Sequence, residues 1–252
     1  MVSNDASEPA AAKTNWLTAT GNAARSASAA RSPESARGKT ARVGSVAKAR
    51  EGLEGLQQIG EGAHIHFVRR AWSPADATAL FEALQEEVAW SQNEITVFGN
   101  RHKEPRLTCY QASDPSLVYT YSGLDLEPLP FSPAVSSVLS RVTELFPDVH
   151  FNSVLCNRYR SGEDAMGWHS DEDVPRYGES PNIVSCSFGA ERDFVLRRRA
   201  DSADKLQYVL GHGAVLLMGG TCQKTWQHSV PRRKNCAERI NLTFRFIRKA
   251  AR

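Results

Sequence analysis

The chain has 252 residues, a formal net charge of +3 and 41% hydrophobic residues, enough for one large domain or two small ones. No apolar run approaches the length of a membrane span, and the N-terminal stretch lacks an apolar secretory core, so neither a spanning nor a secreted protein is expected. The five cysteines, Cys109, Cys156, Cys186, Cys222 and Cys236, show no paired spacing, which argues against a disulfide framework or zinc site and for a reducing compartment.

Residues 1–50 carry eight Lys or Arg, three acids and few large apolar side chains. Such a stretch cannot bury enough apolar surface to fold. Residues 1–55 are therefore expected as a disordered basic arm, with 56–252 as the folded domain. The arm's Arg- and Ser-rich, acid-poor composition also fits an organellar transit peptide. Next, Ser73-Pro74-Ala75-Asp76 predicts a helix with a serine N-cap and proline at its first position. Leu80, Leu84 and Val88, followed by Trp90, give it one apolar face. Val97-Phe98-Gly99, between Ile95-Thr96 and Asn100-Arg101-His102, reads as a hairpin with an apolar tip. Ser132-Pro133 starts a second helix, with Val135, Val138, Leu139 and Val142 inward and Pro147 marking its end.

After residue 150 the pattern changes to short strands: 151–159, 183–188, 193–198, 207–210, 214–218 and 239–247. Strands in series, separated by Gly- and Asp-containing turns, predict a sandwich or jelly roll. Helices ahead of such a core make the fold class α+β. There is no internal repeat. From residue 190 onward 14 Lys or Arg stand against 5 acids, a balance that suits either a phosphate-facing surface or an ordinary solvated face.

The last strand alternates without a break. Period two puts Arg239, Asn241, Thr243 and Arg245 on one face and Ile240, Leu242, Phe244 and Phe246 on the other. The apolar face must be buried. The polar face holds two guanidiniums and no acid, which suits a small anion, although the polar face of an antiparallel sheet commonly lies in water. His228 stands eleven residues upstream, and His169-Ser170-Asp171 lies further upstream. Two histidines and one carboxylate with open positions describe a non-heme iron(II) site, although each of these residues taken singly is commonplace.

Asn157-Arg158-Tyr159, Trp168-His169-Ser170-Asp171, Ser185-Cys186-Ser187-Phe188-Gly189, Trp226-Gln227-His228-Ser229-Val230-Pro231 and the 239–245 strand together resemble the AlkB family. These are iron(II)- and 2-oxoglutarate-dependent dioxygenases that dealkylate nucleic-acid bases. The likeness extends through Val97-Phe98-Gly99 and Tyr119-Thr120-Tyr121-Ser122-Gly123-Leu124, covers roughly residues 60 to 248 and is closest to the eukaryotic DNA-repair branch. It implies a double-stranded β-helix core flanked by N-terminal helices. It implies iron(II) on His169, Asp171 and His228, with 2-oxoglutarate and dioxygen completing the site. Arg239 and Arg245 would each hold one carboxylate of 2-oxoglutarate, with Asn157, Tyr159, Asn241 and Thr243 lining the same pocket.

For the substrate, the resemblance implies Tyr121 stacking on a flipped base opposite the ring of His169, and Tyr119 and Asp173 at the base edge. Val97, Phe98 and Gly99 would form a wedge that fills the vacated stack. Arg106, Arg197 and Arg233 complete the expected substrate contacts. The activity so implied is oxidative demethylation of 1-methyladenine and 3-methylcytosine in duplex or single-stranded DNA, with formaldehyde released. RNA is the alternative substrate, and a silent nucleic-acid-binding module is the alternative from another class. A monomer without membrane contact is expected, in the nucleus, or in a chloroplast or mitochondrion if the arm is a transit peptide.

Overall fold

The computed structural model describes residues 49–97, 100–121 and 124–249, without the side chains of 95–97 and 121. Residues 1–48 of the expected arm lie outside the described residues. In chain order β1 (Arg50–Glu51), β2 (Gly55–Gly60) and β3 (Ala63–Val68) precede α1 (Pro74–Glu87). Then come β4 (Glu94–Val97), β5 (Asn100–Lys103), β6 (Leu107–Ala112), β7 (Tyr119–Tyr121), β8 (Leu124–Leu126) and α2 (Pro133–Leu145). The C-terminal half holds β9 (Ser153–Tyr159), β10 (Met166–His169), α3 (Val174–Tyr177), β11 (Ile183–Gly189), β12 (Arg192–Arg198), β13 (Lys205–Leu210) and β14 (Ala214–Gly220). It ends with α4 (Cys222–Thr225), β15 (Trp226–Val230) and β16 (Arg239–Arg245).

The strands form a five-stranded sheet, β1-β13-β12-β15-β10, facing a seven-stranded sheet, β2-β3-β14-β11-β16-β9-β6. This is the jelly roll expected, in an α+β setting. Strands begin earlier than residue 56, because β1 pairs in parallel with β13, Arg50 opposite Leu206. The expected boundary is corrected accordingly. The β2–β3 hairpin had no strong sequence signal. Its turn holds Glu61 at φ 53 and Gly62 at φ 75.

Both expected helix starts are present. The Ser73 hydroxyl accepts from Asp76 N at 3.1 Å and that of Ser132 from Val135 N at 3.3 Å. Each satisfies a donor that the first helical turn leaves without a partner. Helix α2 ends at Leu145, ahead of Pro147. On α1 the fully buried residues are Ala77 and Leu84, and Leu80 is only partly buried.

The two helices cover the outer face of the seven-stranded sheet. Ile240, Leu242 and Phe244 of β16 are fully buried there, in one cluster with Leu84, Val135, Val138 and Val142. Burial of each such side chain stabilises the fold by roughly 1.5–3 kcal/mol. Phe246 departs from the expected apolar face. The strand ends at Arg245, and Phe246 is 47% exposed. A second cluster, including Leu206, Leu216, Phe194 and Trp226, fills the space between the sheets. Among the described residues no helix is long and apolar enough to cross a membrane.

Candidate metal centre

The His-x-Asp segment and the second histidine meet because β10 pairs antiparallel with β15, His169 directly opposite His228. Directly opposed residues of an antiparallel pair present their side chains on one face. The ring centroids of the two histidines are 4.1 Å apart, and Asp171 Oδ2 lies 3.8 Å from His228 Nε2. One ligand atom from each of the three residues falls within 4.8 Å of the others, and all three are buried.

The donor set fits a divalent metal. His169 Nδ1 lies 2.9 Å from the Gly167 carbonyl. A carbonyl can only accept, so Nδ1 carries the proton and Nε2 keeps its lone pair for a ligand bond. His228 is backed by Phe194, stacked at 5.2 Å. Asp171 Oδ1 accepts from Arg245 Nη2 at 2.8 Å, while its buried Oδ2 has no hydrogen-bond partner. A buried carboxylate oxygen left in that state implies a missing partner, here a cation. Gln223, buried on α4, accepts from Asp171 N at 2.9 Å and so holds the ligand's backbone. No motif in the sequence pointed to Gln223.

Burial is the main cause that lowers both imidazoles, and His228 is pushed far down, with His169 adding to the effect. Burial alone would raise the Asp171 carboxyl, but Arg245 and the two histidines outweigh it and hold it down to about 2. A histidine held below the 6.5 of an unfolded chain contributes stability that is whole above that pH. Acid protonates the unfolded chain first, so the contribution is lost as the pH falls. Asp171 likewise contributes above its ordinary 3.8 and loses that contribution as the pH approaches 2. The metal-free protein is therefore expected to melt at progressively lower temperature from about pH 7.5 to about 5.5. A His228→Gln variant should show a shallower slope, which melting curves across that range will check.

Facing the triad is a polar cradle from the seven-stranded sheet. Strand β16 lies between β11 and β9, with Arg239 opposite Tyr159, Asn241 opposite Asn157 and Ser187, and Thr243 opposite Ser185. The polar face of β16 therefore points inward. His169, Asp171, His228, Asn157, Tyr159, Arg239, Asn241, Thr243 and Arg245 all line one cavity, together with Tyr119.

The two arginines are differently placed. Arg245 is paired with Asp171; burial would lower its pKa, but the carboxylate more than offsets this and raises it. Arg239 is 1% exposed and has no carboxylate partner among the described residues. Its Nη2 donates to Ser187 Oγ and Asn241 Oδ1, both at 2.7 Å. Its Nε and Nη1 have no hydrogen-bond partner, and burial lowers its pKa to about 10. A buried guanidinium with two idle donors is set for an anion with two oxygens. The dicarboxylate expected from the sequence therefore fits. Ser185 and Ser187, quoted in a motif but given no role, complete the network: Ser185 Oγ donates to Asn241 Oδ1 at 2.7 Å.

Other expected substrate residues have partners within the protein. Asp173 does not line the cavity. Its carboxylate caps α3, accepting from Arg176 N at 3.2 Å, while the adjacent Glu172 pairs with Arg199 at 2.7 Å. Arg106 is buried, and its charge acts on His169 and Tyr119. It is 1% exposed and joins Glu104 to Asn157, donating to their oxygens at 3.2 and 2.8 Å. Arg197 lies 4.4 Å over the Trp168 ring and donates to Gln227 Oε1. Arg233 remains on the surface, 3.5 Å from Glu191. Phe98 and Gly99, and the side chains of Val97 and Tyr121, lie outside the described residues. Their flanking strands are present, with Val97 opposite Asn100, and β5 is exposed throughout.

Residues 64–245 match the profile of the 2OG-Fe(II) oxygenase superfamily. The chain is 34% identical over 216 residues to the DNA oxidative demethylase ALKBH2 of Arabidopsis thaliana, covering 75% of this chain and 68% of that protein. It is 39% identical over 181 residues to the alpha-ketoglutarate-dependent dioxygenase alkB homolog 3 of Bos taurus, covering 68% and 62% respectively. It is also 40% identical over 185 residues to the Bos taurus ALKBH2, covering 69% and 65%. The match thus spans about two thirds of these relatives' lengths. Among solved structures, that of OsALKBH1 superposes with a TM-score of 0.51 at 21% identity, covering 75% of this chain and all of that one. An oxidoreductase of the 2OG-Fe(II) oxygenase family from Burkholderia pseudomallei superposes with a TM-score of 0.53 at 15% identity, covering 81% and 98%. These two likenesses concern the fold.

Proposed function

Since this chain belongs to the AlkB family of the 2OG-Fe(II) oxygenase superfamily, we propose that it removes methyl groups oxidatively from alkylated bases in DNA. The observation that carries this reading is the buried Arg239, its charge met by no acid among the described residues, on the same cavity wall as Arg245 and opposite the His169, Asp171 and His228 triad. Iron(II), 2-oxoglutarate and dioxygen supply the oxidation of the N-methyl carbon, with one succinate, one carbon dioxide and one formaldehyde formed per methyl group removed.

The protein's own residues bind, orient and exclude. Arg239 would hold one carboxylate of 2-oxoglutarate through Nε and Nη1, which have no partner among the described residues. Arg245 neutralises Asp171 and would stand beside the other carboxylate. Asn241 is held by Ser185 and Arg239, and its Nδ2 donates to Thr243 Oγ1 at 3.0 Å, so the cradle is rigid before ligand enters. Leu155, Phe194, Met218 and Val230 line the remainder of the cavity and keep water from the reacting carbon. The relatives named DNA oxidative demethylases support DNA as the substrate. Release of succinate and formaldehyde from methylated single-stranded DNA, duplex DNA and RNA tests the reading. Methyl-dependent release from RNA alone would move the substrate from DNA to RNA.

Duplex repair requires the base to leave the stack, at a cost of a few kcal/mol that single strands largely avoid. The exposed, basic strand β5, with Arg101 and Lys103, beside Phe98 supports a wedge at that position. Phe98→Ala is expected to lower repair in duplex DNA by about ten-fold, as loss of roughly 1–2 kcal/mol of stacking implies. Single-strand repair should barely change. Equal losses on both substrates in steady-state assays would make Phe98 a fold or pocket residue instead.

A further inference from the structure

We propose that the one-turn helix α3 clamps the strand carrying Tyr119, with Arg176 as the positioning residue that ties the wall of the base pocket to the metal-binding loop. The proposal rests on the reading of Tyr119 as a base contact. Helix α3 starts three residues after the metal ligand Asp171. Asp173 caps it and lies 3.5 Å from Arg176 Nε, which orients the guanidinium toward β7. There Nη1 donates to Val118 O at 3.3 Å and Nη2 to Thr120 Oγ1 at 2.7 Å. Val118 and Thr120 flank Tyr119, so one side chain grips the strand on both sides of the residue that lines the cavity.

The grip extends in three directions. Thr120 Oγ1 donates to Asp125 Oδ1 at 2.6 Å on the partner strand β8. Tyr177 packs against the small buried cluster that holds Tyr119. From behind, Arg176 O accepts from Arg248 N at 2.8 Å, and Asn152 holds Ile247 through both its backbone N and O. Strands β7 and β8 form a two-stranded sheet of three residues each, and such a hairpin is marginal by itself. Its orientation therefore depends on what it is tied to. The tie runs to the loop that carries Asp171, so the base wall keeps its distance from the metal. A misplacement of about 1 Å at a reacting centre costs on the order of a hundred-fold in rate. The contacts of Arg176 are partly exposed, 33% for its own side chain and 36% for Asp173, and exposed pairs add little to stability. The clamp is accordingly a device for placement.

The test is Arg176→Met in the full chain, assayed with methylated single-stranded DNA. Loss of charge-assisted bonds should raise the KM for the oligonucleotide about ten-fold. Formaldehyde per succinate should fall several-fold, because 2-oxoglutarate is consumed while the methyl carbon is misplaced. The KM for 2-oxoglutarate should change by less than about two-fold, which a general loss of structure would not allow. Thr120→Val should give the same trend, and the double variant should be no worse than Arg176→Met, since both changes break one link. If Arg176→Met does not fold, Thr120→Val carries the test. Unchanged KM and coupling, or a parallel rise in the 2-oxoglutarate KM, overturns the clamp. Wild-type protein that releases no formaldehyde from any methylated oligonucleotide overturns the functional reading, and the clamp with it.

Discussion

Replacing Asp171 by alanine is expected to abolish turnover and to destabilise the metal-free protein, whereas His228→Ala abolishes turnover with a smaller loss of stability. The rate effect is common to both, because each supplies one of three buried ligand atoms clustered within 4.8 Å. The stability effect differs because Asp171 has a second task. Its Oδ1 neutralises Arg245 at 2.8 Å, deep in the cavity, where both side chains are under a tenth exposed. Removing one partner of such a pair leaves an uncompensated buried charge and costs about 3–5 kcal/mol. For a domain of this size that lowers the melting temperature by roughly 10 °C. Burial holds His228 well below its ordinary pKa, so its loss leaves a cavity beside Phe194 but no stranded charge. Formaldehyde assays with added iron(II), paired with thermal melts of metal-free protein, check both halves. Full activity of Asp171→Ala would remove it from the triad. Equal melting temperatures for the two variants would show that the pair with Arg245 contributes nothing net.

The second large effect is the opposite in stability. Arg239→Met should weaken 2-oxoglutarate binding by about 2–5 kcal/mol, or roughly thirty-fold to several-thousand-fold, while leaving the ligand-free protein as stable as before or more so. Among the described residues Arg239 is buried without an acid, and two of its donors have no hydrogen-bond partner. Replacing a buried ion with a well-packed apolar side chain is often neutral or stabilising. Asn241 Oδ1 would keep its bond from Ser185, so the cradle need not collapse. Arg245→Met should also lose co-substrate, but it strands the Asp171 carboxylate and should melt lower. A ligand in excess that binds only the folded state stabilises it by RT times the logarithm of its concentration over Kd, so the rise in melting temperature follows the logarithm of its affinity. Melts with and without 2-oxoglutarate therefore separate the two arginines in one experiment. Unchanged 2-oxoglutarate affinity in Arg239→Met would mean that this face of β16 is not the co-substrate cradle.

What the sequence determined was local or periodic. Ser73 and Ser132 announce helices because a hydroxyl beside a proline satisfies a first-turn donor within three residues. The alternation in 239–245 sorts two arginines onto one face because side chains in a strand point to opposite sides. His169 and Asp171 stand two apart, and the order of motifs was enough to suggest the family. Tertiary structure decided everything that depends on which strands lie side by side. The registers of β16 with β9 and of β10 with β15 turn the polar face inward and set His169 against His228. Pairing with Asp171 makes Arg245 a partner of the metal ligand and leaves Arg239 without an acid among the described residues. Asp173 became a cap because the chain turns into α3 beside it, and Arg106 was buried between Glu104 and Asn157. Gln223 reached Asp171 from a helix far along the chain. Period and capping follow from sterics within a turn or two of the backbone. Partner choice follows from strand order and burial, which no window along the chain contains.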